Sequence, residues 1–142
     1  MKKKLLAVLM TGIMAASFAG TATSVYAADD DNTLTVWAWD QNFNIKSMQM
    51  AGEQYAKDHE GFSVDVIETS SDDCQTKLTT AANAGDYSTL PDIFLMQDYS
   101  YHKDVTSFPG VFTELTDSGI DFTQFSAGKL ADSTVDGKNY GV

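Results

Sequence analysis

The chain has 142 residues, no arginine, a single cysteine, Cys74, and only two prolines, Pro91 and Pro109. One cysteine excludes an intramolecular disulfide, so stability must come from packing. Nine lysines stand against twenty acidic residues, a formal charge of −11. That balance excludes nucleic acid and anionic membrane surfaces as partners, because both require a basic footprint. Past residue 27 no apolar run is long enough to span a bilayer. Motifs of cofactor and nucleophile chemistry are missing as well. Gly128-Lys129 is followed by Leu130 and lacks the earlier glycine of a phosphate-binding loop, and neither Gly-x-Gly-x-x-Gly after a strand nor Gly-x-Ser-x-Gly occurs. His59 and His102 lie far apart without metal-ligand spacing, so neither a metal nor another cofactor is expected.

The N-terminus has the three-part layout of an export signal. Lys2, Lys3 and Lys4 precede an apolar stretch over residues 5–18, and small residues lead to Val25-Tyr26-Ala27. Residues 1–27 are therefore expected to be a signal peptide, cut between Ala27 and Ala28. Removing three lysines and no acid leaves six basic against twenty acidic residues, a charge of −14, which favours solubility. Residues 28–142 suffice for one domain of the usual size of about 100–150 residues. The adjacent aspartates Asp29, Asp30 and Asp31 lack the alternate spacing, glycine turn and distal glutamate of a calcium loop, and read as a flexible lead-in.

Three strand patterns, at residues 33–39, 62–68 and 92–96, alternate with two amphipathic helix patterns. Such a β-α-β-α-β order predicts an α/β fold with an open, mostly parallel sheet flanked by helices. Asn44 is the expected cap of the first helix, whose apolar line runs through Ile45, Met48, Gly52, Tyr55 and Ala56. Ser71 or Asp72 is the expected cap of the second, with Cys74, Leu78, Ala81 and Ala82 inward and Gly85 as its stop. Cys74 reads as a small hydrophobe on that stripe, since Asp72 and Asp73 offer no cationic activation. The run Ile93-Phe94-Leu95-Met96 is expected to be the most buried strand, and a helix capped by Asp121 is expected to turn Phe122, Phe125 and Leu130 inward. Asp136-Gly137 between apolar residues is a tight-turn signal.

Ligands of parallel sheets bind at the carboxyl ends of the strands. The first and third strands end there in polar and aromatic clusters, Trp39-Asp40-Gln41-Asn42-Phe43 and Gln97-Asp98-Tyr99-Ser100-Tyr101. Carboxylates accept hydrogen bonds from hydroxyl groups, and aromatic rings stack on sugar faces. One reading is therefore a saccharide binder; another is a small secreted glycoside hydrolase using Asp40 and Asp98, which needs a defined separation of the two carboxyls. A third is an inactive product of a truncated gene.

Three segments then carry a family resemblance over residues 28–142. They are Leu34-Thr35-Val36-Trp37 with polar residues following; Lys77-Leu78 and Ala81-Ala82 leading to Pro91-Asp92-Ile93; and Asp136-Gly137-Lys138-Asn139-Tyr140-Gly141-Val142. In order and spacing the chain resembles the extracellular solute-binding proteins, family 1, of carbohydrate ABC importers. The resemblance implies a periplasmic-binding-protein-like (type II) fold of two hinged lobes, of which residues 28–142 are a partial N-terminal lobe. It implies a non-enzymatic monomer that binds a carbohydrate and delivers it to an ABC transporter membrane permease. By position it gives Trp39, Asp40 and Asn42, with Gln97, Asp98 and Tyr99, as ligand contacts, and Phe43 and Tyr101 as lesser ones. The chain departs from lipoprotein members at Phe18-Ala19-Gly20-Thr21, where a lipid-bearing cysteine would stand, so a soluble extracellular or periplasmic product is expected.

Overall fold

A computed structural model describes residues 32–142. The expected signal peptide, its cut between Ala27 and Ala28 and the aspartate lead-in lie outside the described residues. Strand β1 (Thr33–Ala38) leads to helix α1 (Asn44–Ala56), strand β2 (Ser63–Glu68), helix α2 (Ser71–Ala84) and strand β3 (Ile93–Phe94). Helix α3 (Asp98–Ser107) follows, then a 3-10 turn at Phe122–Gln124, helix α4 (Ala127–Asp132) and the short strands β4 (Thr134–Val135) and β5 (Lys138–Asn139).

The three-stranded sheet is parallel in the order β2-β1-β3. Its middle strand is the core: Val36, Trp37 and Ala38 are almost completely buried. β1 pairs with β2 along its whole length, from Thr33 opposite Ser63 to Ala38 opposite Glu68. With β3 it pairs only at Val36 opposite Ile93 and Trp37 opposite Phe94, extended by one bond from Leu95 N–H to the Trp37 carbonyl, 2.9 Å. Ahead of β3 side chains take over from the ladder. One Asp92 carboxylate oxygen accepts from both the backbone N–H and the hydroxyl of Thr35, each at 2.8 Å, while the Asp92 N–H meets Thr35 Oγ1 at 3.1 Å. Pro91 just before has no N–H to give a ladder.

The helices follow the sequence pattern on their inner faces. α1 buries Ile45 and Gly52, and α2 buries Cys74, Leu78 and Ala81. Gly85 adopts the left-handed conformation (φ 65°) that ends α2. Gly52 is where α1 touches β2, since a β-carbon there would lie 2.6 Å from Val64 Cγ2 and 2.9 Å from Val64 Cβ. Lys77 on α2 holds its ammonium 5.3 Å from the centroid of the Trp37 ring, a cation–π contact over the central strand.

Several expectations are corrected. The third strand is not the most buried: it is short, lies at the sheet edge among the described residues and leaves Ile93 42% exposed, and the first strand takes that place. α1 has no side-chain cap from Asn44 or any other residue; Asp40 instead closes the turn ahead of the helix, its Oδ1 accepting from the N–H groups of Asn42 and Phe43 at 2.9 and 3.0 Å. Tyr55 leaves the expected inner line of α1 and stacks on His59 at 3.7 Å, half exposed. The cluster expected at the end of the third strand lies in the first turn of helix α3 from Asp98 onward. The helix expected after Asp121 breaks in two: Asp121 caps the 3-10 turn, α4 starts afresh from Ser126, and Phe125 between them is partly exposed.

Asp136 and Gly137 both have positive φ, 51° and 78°, and join β4 to β5 as a hairpin of the mirror-image turn type. Asn139 in β5 ties that hairpin down. Its side chain donates to Ser133 Oγ and accepts from Gly141 N–H, while its backbone carbonyl accepts from Leu115 N–H at 2.7 Å.

Gly52→Ala should lower stability by about 1–3 kcal/mol in urea melts, because the new methyl meets a β-branched side chain that cannot rotate away. Gly128→Ala in α4, with open space at its β-carbon, should be neutral or slightly stabilising in the same assay. Burial first, and the neighbouring Asp73 carboxylate second, push the Cys74 thiol up from 9.0 to about 11, against an opposing pull from Lys77. Above pH 9 the unfolded thiol ionises while the folded one keeps its proton, so this contribution is full below pH 9 and is lost as pH rises towards 11. Urea midpoints of the native protein should therefore fall more steeply between pH 9 and 11 than those of Cys74→Ala.

Candidate functional site

The strand order places β1 between its two successors, so the chain leaves β1 to one side and returns to the other. A crevice forms at the carboxyl ends where the connections part. A cavity of about 120 Å³ lies there, with Trp39 from the end of β1, Ser71, Asp72 and Gln75 from the first turns of α2, and Phe94 to Gln97 from β3 and its exit. Tyr99, Ser100 and Lys103 of α3 complete its wall, and Cys74 and Leu78 line it from the core side.

Each of these side chains is held for a local reason. Ser70 caps α2, accepting from Asp73 N–H at 3.1 Å and donating to the Asp73 carboxylate at 2.8 Å, which fixes the first turn carrying Ser71 and Asp72. Gln97 donates from Nε2 to Ser71 Oγ at 3.0 Å, tying the exit of β3 to the start of α2 beside the cavity. Ser100 folds back onto the Gln97 carbonyl at 3.0 Å. Tyr99 stands out at the rim, 85% exposed, whereas Trp39 is half-buried.

Of the six residues singled out from the sequence, the structure brings Trp39, Gln97 and Tyr99 to this cavity. Asp40, Asn42 and Asp98 are not part of its lining. Asp40 is occupied at the start of α1, and Asp98 forms an ion pair with Lys129 of α4, both side chains being half exposed. Phe43 projects into solvent, and Tyr101 packs towards Phe112 and Gly141, where burial pushes its hydroxyl up to about 12. Sequence reasoning missed Ser71, Asp72, Gln75 and Lys103. The signal for the first three was available: the second strand ends at the same side as the others, so the helix start that follows it faces the same crevice. Nothing local marks Lys103.

Chemically, this is a mixed surface of an indole, a phenol and a phenyl ring with two serine hydroxyls, two amides, one carboxylate and one ammonium. No group of residues able to hold a metal ion occurs among the described residues, and none of the described helices is long and apolar enough to cross a membrane.

Residues 50–142 match the model of the bacterial extracellular solute-binding proteins. A lactose-binding protein of Rhizobium radiobacter is 38% identical over 121 residues, covering 85% of this chain and 28% of its own length. Among solved structures, the GacH receptor of Streptomyces glaucescens, determined unliganded and with acarbose, superposes with a TM-score of 0.59 at 20% identity, over 75% of this chain and 27% of the receptor. A periplasmic oligogalacturonide binding protein from Yersinia enterocolitica, solved with saturated digalacturonic acid, gives a TM-score of 0.55 at 27% identity, over 75% of this chain and 26% of that one. The α/β arrangement is thus that of the periplasmic-binding-protein-like sugar binders, in part, and the chain spans somewhat over a quarter of the length of these relatives. The match over residues 50–142, together with the identity to the Rhizobium radiobacter protein, shows that this chain belongs to the bacterial extracellular solute-binding protein family.

Proposed function

We propose that the protein binds a sugar or oligosaccharide outside the cytoplasm, without chemical conversion, for delivery to the membrane permease of an ABC importer. The observation that carries this reading is the cavity at the carboxyl ends of three parallel strands, where an indole and a tyrosine ring stand beside hydroxyl and amide groups. Rings stack on the apolar faces of pyranoses, and neutral donors and acceptors match their hydroxyls. The ligands named for the relatives, lactose, acarbose and digalacturonic acid, are all saccharides.

In this reading residues 1–27 are an export signal and residues 28–142 the first part of an N-terminal lobe. Trp39 is the stacking surface, Gln97 and Tyr99 are direct contacts, and Asp40, Asn42 and Asp98 belong to the outer margin of the site. The cavity's 120 Å³ is well below the about 300–1,000 Å³ of typical small-molecule sites, as befits one wall of a cleft that a second lobe closes. The protein is soluble after cleavage and acts as a monomer.

The hydrolase reading is not favoured. It needs Asp40 and Asp98 to face one substrate, and neither lines the cavity.

Calorimetric titration against a panel of saccharides tests the proposal, with heat of binding and no turnover as the expected outcome. Trp39→Ala should weaken binding by about 2 kcal/mol, roughly thirtyfold, as loss of an aromatic anchor does. Affinity unchanged by that substitution would remove Trp39 from the site, and release of free sugar from a glycoside would overturn the non-enzymatic reading.

A further inference from the structure

We propose that the cavity selects an uncharged saccharide and discriminates against one bearing a carboxylate, such as a uronate. The inference rests on the saccharide reading of the site and adds the charge class of its ligand. Its basis is that each described lysine near the site is already committed to another group.

Lys103 is the one cation lining the cavity among the described residues. Its ammonium stands 3.3 Å from Oδ1 of Asp104, a side chain with no solvent exposure. Neither Asp104 oxygen has a hydrogen-bond partner among the described residues. The contact is within ion-pair reach but outside hydrogen-bonding geometry, so it is the available charge compensation for a carboxylate removed from water. Leaving such a group without a countercharge costs several kcal/mol, more than an exposed ion pair with a ligand returns. Lys103 is therefore held to its neighbour and is no free clamp for an incoming anion.

The next cation, Lys129, is paired with Asp98, which sits between the cavity residues Gln97 and Tyr99. Lys77 lies over the Trp37 ring. Two helix starts, those of α2 and α3, border the cavity and would by their dipoles favour an anion. Acids already stand in both first turns: Asp72 and Asp73 in α2, Asp98 in α3. Asp72 itself lines the cavity and has no lysine partner among the described ion pairs. A ligand carboxylate would thus meet a like charge and no unengaged ammonium. Uncharged hydroxyls suit the same wall, because Asp72 accepts from them and Ser71, Gln75 and Gln97 can donate or accept.

Calorimetric titration of the purified protein with a panel of neutral mono- and disaccharides, lactose and maltose among them, and with digalacturonate decides the matter. The expected result is a neutral saccharide bound at least about tenfold more tightly than digalacturonate at low salt. Asp104→Asn keeps the shape and releases Lys103, and should raise digalacturonate affinity severalfold relative to the native protein; Asp72→Asn, at an exposed position, should do so independently of any effect on the core. Digalacturonate bound as tightly as the best neutral sugar, or no gain from either substitution, overturns the inference while leaving the saccharide reading intact. Binding of neither class defeats the saccharide reading and the inference with it.

Discussion

Parallel pairing on both sides of β1 is the constraint on which the rest of this structure depends. Val36, Trp37 and Ala38 are buried because strands flank them and helices cover them, and a strand in that position must be apolar on both faces. The alternation of Leu34, Val36 and Ala38 with Thr35, Trp37 and Trp39 meets the requirement. Once β1 is central, β2 and β3 lie to either side, their connections diverge, and a crevice at the carboxyl ends follows from topology. The residue just past the end of β1, Trp39, opens into that crevice.

A second theme is the use of polar side chains as structural joints close to the site. Asp40 closes the turn ahead of α1, Ser70 caps α2, and Gln97 binds the exit of β3 to α2. The C-terminal hairpin is organised in the same way by Asn139, with Lys138 reaching Glu114 at 2.7 Å across the surface. That pairing raises the pKa of Lys138 and lowers that of Glu114, so each favours the charge state of the other. In a chain without disulfides these local bonds, rather than covalent staples, fix the geometry of the cavity wall.

Much of this was legible in the sequence, for physical reasons. Periodicity gave five elements in the right order, because burial on one or both faces dictates residue pattern. Gly85 and Asp136-Gly137 were readable because left-handed backbone favours glycine and tolerates aspartate. Trp39, Gln97 and Tyr99 were readable because position after a strand predicts position in the crevice. What was not legible depends on tertiary partners. Ile93 looks like core in a run of four apolar residues, yet the strand it begins is an edge. Asp98 looked free to meet a ligand, and only the fold brings Lys129 to it across thirty-one positions. Asp40 was seen as a contact although its neighbours' N–H groups, two and three positions on, are its partners. Local hydrogen bonding by aspartate competes with every functional role assigned to it.

The unequal seams of the sheet have a mechanical consequence. On one side β1 is zipped to β2 through six residues; on the other it meets β3 through two, with a carboxylate clasp below and a single backbone bond above. Stiffness is therefore lopsided. The segment from Phe94 to Gln97 is fixed by the Asp92 clasp below and by the Gln97 bond to Ser71 above, so that side of the cavity rests on side-chain joints more than on sheet pairing.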